Sequence, residues 1–228
     1  VLTAIGKPII INISGKKLTA TRGYKLLKND REIKTGRADK IKLRFSDGST
    51  FDIKPNTDFR ITAYQFAKNK TDKFTARLAR GSFRTVTGAI ARENRGNIKG
   101  YHIKAGTATI GVRGTDFYLM YDSQQLGRLK ISVLGGMVNI DTLNLGAGSQ
   151  AIQTQGAGGV TKVISSNGEI FYYNHQGNSI KEPTEEESIT SSRPLDTNDP
   201  ITAEANQLND EEEALASLEE ALDLGNNA

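Results

Sequence analysis

The chain has 228 residues, with 23 glycines, 5 prolines and neither cysteine nor tryptophan. The lack of cysteine excludes a disulfide framework, a thiol nucleophile and a cysteine-ligated zinc or iron–sulfur site. No run approaches the roughly 18 consecutive apolar residues of a membrane-spanning helix. The net charge of +4 hides two halves of opposite sign. Residues 181–228 hold 14 acidic and 2 basic side chains, a net of −12, and residues 1–180 hold 12 acidic and 28 basic, a net of +16. Such asymmetry points to a tail that solvates the protein, docks on its own body or docks on a neighbour. The first residue is Val1 rather than methionine, which accords with a removed leader and an exported protein.

In chain order, Pro8-Ile9-Ile10-Ile11-Asn12-Ile13 reads as an apolar strand able to add to the open sheet edge of a neighbour. Ile41, Leu43 and Phe45 then alternate with Lys40, Lys42 and Arg44, the period-two signature of a half-buried strand. Asp47-Gly48 follows as a hairpin signal, since glycine accepts the positive φ of a tight turn, and Phe51 and Ile53 resume the apolar face. Phe59, Ile61 and Ala63, then Phe74, Ala76 and Leu78, repeat the alternation. Further strands are expected over 101–104 and 116–121, and Asn167-Gly168 is expected to join a strand over 160–165 to one over 169–173. Short strands at this spacing predict an all-β fold for residues 1–180, an antiparallel sandwich or β-roll of many short strands, without choosing between them or excluding a barrel.

Near residue 180 the composition changes. Residues 181–199 are polar and rich in Glu, Ser and Thr, and read as an acidic linker. Asp199-Pro200 is a helix start, and residues 200–228 are expected to form an acidic amphipathic helical tail ended by Gly225. Leu215, Leu218 and Leu222 lie on one stripe of it. A helix this short is marginal alone, so the stripe is a candidate partner surface.

The most specific segment is Thr107-Ala108-Thr109-Ile110-Gly111-Val112-Arg113-Gly114-Thr115-Asp116-Phe117. Gly111 and Gly114 bracket Arg113 between two strand-like runs, the pattern of a bulge or crossover where only glycine fits. An arginine placed there is expected to be paired, because burying its charge alone is costly, and Asp47 and Asp116 are the candidate partners. The run from Ala108 to Phe117 resembles the hallmark of the FecR domain family. Leu43–Ser49 resembles the Asp-Gly-Ser hairpin of that family and Gly81-Ser82-Phe83 its Gly-x-Leu/Phe turn. Val133–Val138 resembles its Val-x-x-Gly-x-Val strand, and Leu145–Gln150 its closing segment. Together these cover about residues 1–155. The resemblance implies an extracytoplasmic all-β domain, periplasmic or extracellular, that relays signals through protein–protein contacts and has no catalytic residues in its motif. It assigns Asp47, Gly48, Gly111, Arg113, Gly114, Thr115 and Phe117 to the scaffold. The 228 residues include neither the helical anti-sigma segment nor the membrane span of the signalling members, so the domain type and compartment carry over rather than iron-uptake regulation.

Other patterns lose their chemistry on inspection. Gly146-Ala147-Gly148-Ser149-Gln150-Ala151 matches a dinucleotide fingerprint, but an extended, Gly-rich segment follows in place of a helix. His102 and His175 each lack a second ligand at helical or hairpin spacing, so no metal is expected, and no cofactor is implied. Without a nucleophile elbow or a framed pair of acids, an enzyme is not expected. Lys40, Lys42 and Arg44, extended by Arg60, Arg77, Arg80 and Arg84, form a candidate face for anion binding or tail docking. The leading reading is a non-catalytic, exported binding or scaffolding module that contacts proteins. The alternatives are a self-assembling subunit, with the acidic tail of one copy on the basic body of another, and a binder of anionic polymers such as extracellular DNA or acidic polysaccharide.

Overall fold

A computed structural model describes residues 1–93, 100–124, 127–155 and 159–182. The linker beyond Glu182 and the tail stripe Leu215, Leu218 and Leu222 lie outside the described residues. The first strands are β1 (Thr3–Ile5), β2 (Ile9–Asn12), β3 (Lys17–Thr19), β4 (Asp30–Lys34), β5 (Lys40–Arg44) and β6 (Thr50–Ile53). Then come β7 (Asp58–Gln65), the long β8 (Lys73–Val86), the short helix α1 (Ala89–Glu93), β9 (Tyr101–Ala105) and β10 (Ala108–Val112). The remaining strands are β11 (Asp116–Asp122), β12 (Arg128–Gly135), β13 (Met137–Ile140), β14 (Leu143–Gly146), β15 (Gln150–Gln153), β16 (Val160–Ile164), β17 (Ile170–Asn174) and β18 (Ser179–Ile180).

These strands form two stacked sheets. Sheet I runs β1-β5-β6-β8-β11-β12-β15-β16-β17-β18. Sheet II runs β3-β2-β4-β7-β8-β9-β10-β13-β14. All neighbours are antiparallel except β8 and β9, which need a crossover, and α1 lies in it. The fold is thus the predicted all-β class, with both Asx-Gly hairpins where the sequence placed them: β5–β6 around Gly48 and β16–β17 around Gly168, each glycine at positive φ.

One strand serves both sheets. Residues 73–80 of β8 pair with β7 in sheet II, whereas residues 81–86 pair with β11 in sheet I. The switch occurs at Gly81, whose φ is +90° and where an added Cβ would sit 2.5 Å from the Thr57 Cα. No side chain fits so close to backbone, so the sheet change depends on glycine.

Between the sheets lies an aromatic core. Phe51 and Phe83 from sheet I meet Phe59 and Phe74 from sheet II with ring centroids 5.2–5.3 Å apart. Tyr101 stacks on Phe74 at 4.7 Å, and its complete burial pushes the phenol pKa far up. All five rings are essentially inaccessible. Each such burial contributes about 1.5–3 kcal/mol, so this cluster fixes the sheets face to face.

The N-terminal strand does not add to a neighbour. Ile9–Asn12 is β2, with Thr19 of β3 opposite Ile9 on one side and Lys34 of β4 on the other. Both of its hydrogen-bonding edges are occupied within the chain, because the apolar Ile10 is drawn into the core.

Candidate functional site

The hallmark residues build a junction between the sheets. The Asp47 carboxylate accepts the Ser49 backbone N–H at 3.0 Å and the Ser49 hydroxyl at 2.7 Å. The Ser49 oxygen in turn accepts Gly88 N–H at 2.8 Å, and the Asp47 carbonyl accepts Ala89 N–H at 2.8 Å. The hairpin turn is thereby fastened to the start of the α1 crossover. On the other side, Thr115 N–H donates to the Thr87 hydroxyl at 2.7 Å, and the Thr115 hydroxyl donates to the Met137 carbonyl at 2.6 Å. Gly114 sits at φ +66°, Gly111 is buried in β10 between His102 and Asn139, and Phe117 is wholly buried. Residues 107–117 thus carry the chain from sheet II, where β10 ends, to sheet I, where β11 begins.

Arg113 departs from expectation. Its side chain is exposed and pairs with neither Asp47 nor Asp116. It follows the last residue of β10, where the backbone turns outward, so its charge stays in water and needs no buried anion. Asp116 belongs instead to Arg84, which is only 11% exposed in its side chain. Arg84 Nε donates to Oδ1 at 3.0 Å and Nη2 to Oδ2 at 2.8 Å.

The predicted basic face divides in two. Lys40, Lys42 and Arg44 are exposed on β5, with Arg84 further along the same outer face of sheet I. Arg60, Arg77 and Arg80 are exposed on the outer face of sheet II. The division follows from the switch at Gly81, which sends Arg80 and Arg84 to different sheets although they are four residues apart in β8.

On sheet II the register creates an arrangement that periodicity did not show. Arg60 lies opposite Arg77, and Arg77 opposite Lys104 on the parallel strand β9. These side chains form a row of cations across adjacent strands, spaced by about 4.8 Å per strand. Glu32 stands opposite Arg60 at the end of the row, but it is paired with Lys34 at 3.1 Å. Among the described residues neither Arg60, Arg77 nor Lys104 forms an ion pair. Like charges directly opposite each other cost roughly 0.2–1 kcal/mol per pair, so folding does not favour this row. Lys104 escaped the sequence reading because only the crossover brings β9 beside β8.

A cleft of about 620 Å³ opens at one corner of the sandwich, lined from the segment before β4, from β4 itself, from the end of β5 and from β7. Its floor includes Leu26, Phe45, Ile61, Ala63 and the Tyr64 ring, and Lys25, Lys28, Arg31, Arg44 and Lys73 stand around it. The Tyr64 hydroxyl is 2.6 Å from Ser46 Oγ, and burial raises its pKa. No sequence motif marked this cleft, because its walls come from separated segments. Among the described residues no three His, Asp or Glu side chains gather into a metal-holding group.

No curated protein matches the sequence. Two solved structures resemble part of the fold, at 2.50 and 1.65 Å resolution, each described as a "putative anti-sigma factor" from Parabacteroides distasonis ATCC 8503. They share 18% and 17% identity with this chain, with TM-scores of 0.43 and 0.42, and each match covers 63% of this chain. The chain accounts for 59% of the length of those structures. Residues 31–139 match the family model described as FecR protein, a span that contains the Asp47-Gly48 hairpin, the Gly81 switch and the Gly111–Phe117 crossover. The chain carries a FecR domain.

Proposed function

We propose that this FecR-domain chain is a non-catalytic, exported binding module that works by protein–protein contact. Its contact surface is the outer face of sheet II around Arg60, Arg77 and Lys104, and its partner presents acidic side chains. The observation that carries this reading is the row of cations in cross-strand register without ion pairs. A row that weakens the sheet and stays exposed is suited to a partner that neutralises it. The hallmark residues support the same reading, since Asp47, Thr87 and Thr115 spend their hydrogen bonds on the junction between the sheets. The test is affinity capture from envelope and secreted fractions, comparing the wild-type chain with an R60E/R77E variant. An acidic protein retained by the wild type and lost with the variant supports the proposal. Equal retention by both places the contact elsewhere and overturns it.

The same row favours a second reading, an anionic polymer such as DNA or acidic polysaccharide. Binding to a polyanion would weaken steeply with salt, with a slope of about −0.7 to −0.9 per phosphate contact for nucleic acid. Affinity that ignores salt eliminates this reading. Self-assembly is supported only by the charge split, now that β2 is paired within the chain. Light scattering on the whole chain and on one lacking residues 181–228 tests it, and a monomer in both cases rules it out.

A further inference from the structure

Among the described residues, the corner cleft is lined by a half-buried arginine that no acid pairs. In β4, Ile33 points into the core and Glu32 and Lys34 to the outer side, whereas the register against β2 shifts at Arg31, with Ile11 facing Glu32 and Asn12 facing Asp30, so that Arg31 is the extra residue of a bulge and lines the cleft. Arg60 lies opposite Glu32, and the next residue of β7, Ile61, lines the cleft together with Arg31. Arg31 is half-buried, and among the described residues it has no ion pair and no side-chain hydrogen bond. A guanidinium with five donors turned towards apolar surface is costly unless an anion meets it. Asp30, the acid among the lining residues, forms no ion pair with Arg31 and is held by the loop before β4. Its Oδ2 already accepts the Tyr24 hydroxyl at 2.9 Å and Leu27 N–H at 2.8 Å.

The rest of the lining sets the shape of the ligand. The floor is formed by Leu26, Phe45, Ile61, Ala63 and the Tyr64 ring, whereas the charges stand around it. At about 620 Å³ the cleft falls within the roughly 300–1,000 Å³ typical of small-molecule sites. Apolar floor, cationic rim and a half-buried guanidinium without an ion pair together match an acyl chain that ends in a carboxylate.

We propose that the cleft binds a single-chain anionic amphiphile, a fatty-acid-like carboxylate, with its chain on the Ile61–Tyr64 floor and its head group on Arg31. The surrounding lysines and Arg44 strengthen the field at the head group and hold it at the mouth. This site is separate from the cation row on the outer face of sheet II and does not depend on the protein contact assigned there.

The test is calorimetric titration of the whole chain with laurate and with dodecyltrimethylammonium, both below their micellar concentrations. Laurate is expected to bind saturably at one site, and the cation of equal chain length at least about tenfold more weakly. Arg31→Gln keeps the size and removes the charge, and is expected to weaken laurate about tenfold or more, as loss of a charge-assisted contact implies. Ala63→Trp fills the floor and is expected to abolish binding, with circular dichroism confirming the fold; Arg113→Ala is the control that leaves affinity unchanged. Equal binding of the two chains, or laurate affinity indifferent to Arg31→Gln, overturns the proposal. So does displacement of laurate by a capped Glu/Leu peptide that binds more tightly, which would assign the cleft to a peptide partner.

Discussion

Arg84 grips Asp116 across the β8–β11 pair with two parallel bonds, 3.0 and 2.8 Å long. The acid of the hallmark segment is thus held by an arginine 32 residues away rather than by the arginine three positions before it. Bidentate pairing of this kind combines charge with direction. It sits where β8 has just entered sheet I, so it fastens the switched half of the strand to its new neighbour.

Breaking that pair should show this. Asp116→Asn is expected to lower unfolding free energy by about 1–3 kcal/mol, since the remaining guanidinium is largely buried. Arg113→Ala should change it by less than about 0.5 kcal/mol, as an exposed side chain without an ion pair among the described residues. Urea denaturation of both variants measures the contrast, and equal losses would contradict the assignment of Asp116 to Arg84.

The glycines of the scaffold should separate into two grades. Gly136 has φ +80°, and a Cβ there would collide with the Gly114 carbonyl oxygen, whereas Gly168 has φ +86° with open space around it. Gly168→Ala is expected to cost about 1–2 kcal/mol from backbone conformation alone. Gly136→Ala adds a backbone clash and should cost clearly more, or abolish folding. Thermal melts and soluble yield compare them.

Thr115 is the next test of the junction. Its buried hydroxyl donates to the Met137 carbonyl at 2.6 Å and joins β11 to the start of β13. Thr115→Val preserves shape and removes the donor, and is expected to destabilise by about 1–3 kcal/mol. Thr107→Val, at an exposed turn position, is the comparison and should be close to neutral. Equal effects in denaturant would deny the junction its role.

Stability should fall in alkali. The Tyr172 phenol is pushed up to about 12, by burial first and then by its 2.7 Å hydrogen bond to Glu182. Lys34 is raised by hydrogen bonds to Asp58 and Glu32, despite some desolvation. In both groups the folded state holds the proton more tightly than the unfolded chain. Their contribution is therefore complete below the unfolded values, 10.0 for tyrosine and 10.5 for lysine, and is lost as pH rises through the folded ones. A phenolate titration followed at 295 nm should lose one ionisation at about 12 in Tyr172→Phe, while the still later ionisation of the buried Tyr101 persists in both. An unchanged step at about 12 in that variant would assign it elsewhere.

The sequence by itself determined the all-β class, the hairpins at Asp47-Gly48 and Asn167-Gly168, and an irregular glycine-dependent link at Gly111–Phe117, which the structure resolves as a crossover between the sheets. These depend on period-two alternation and on backbone conformations that only glycine adopts readily, which are local properties of a chain segment. Tertiary structure alone decided which charges meet. Gly81 was visible as part of a family-like turn, yet the change of sheet there separates Arg80 from Arg84 and gives Asp116 a partner from β8. The parallel pairing of β8 with β9 completes the row from Arg60 to Lys104, and the cleft gathers Arg31 of β4 with Phe45, Ile61 and Tyr64 from separate segments. Register and sheet order come from burying the aromatic core as a whole, so residues far apart in the chain are brought together by a constraint that no single segment contains.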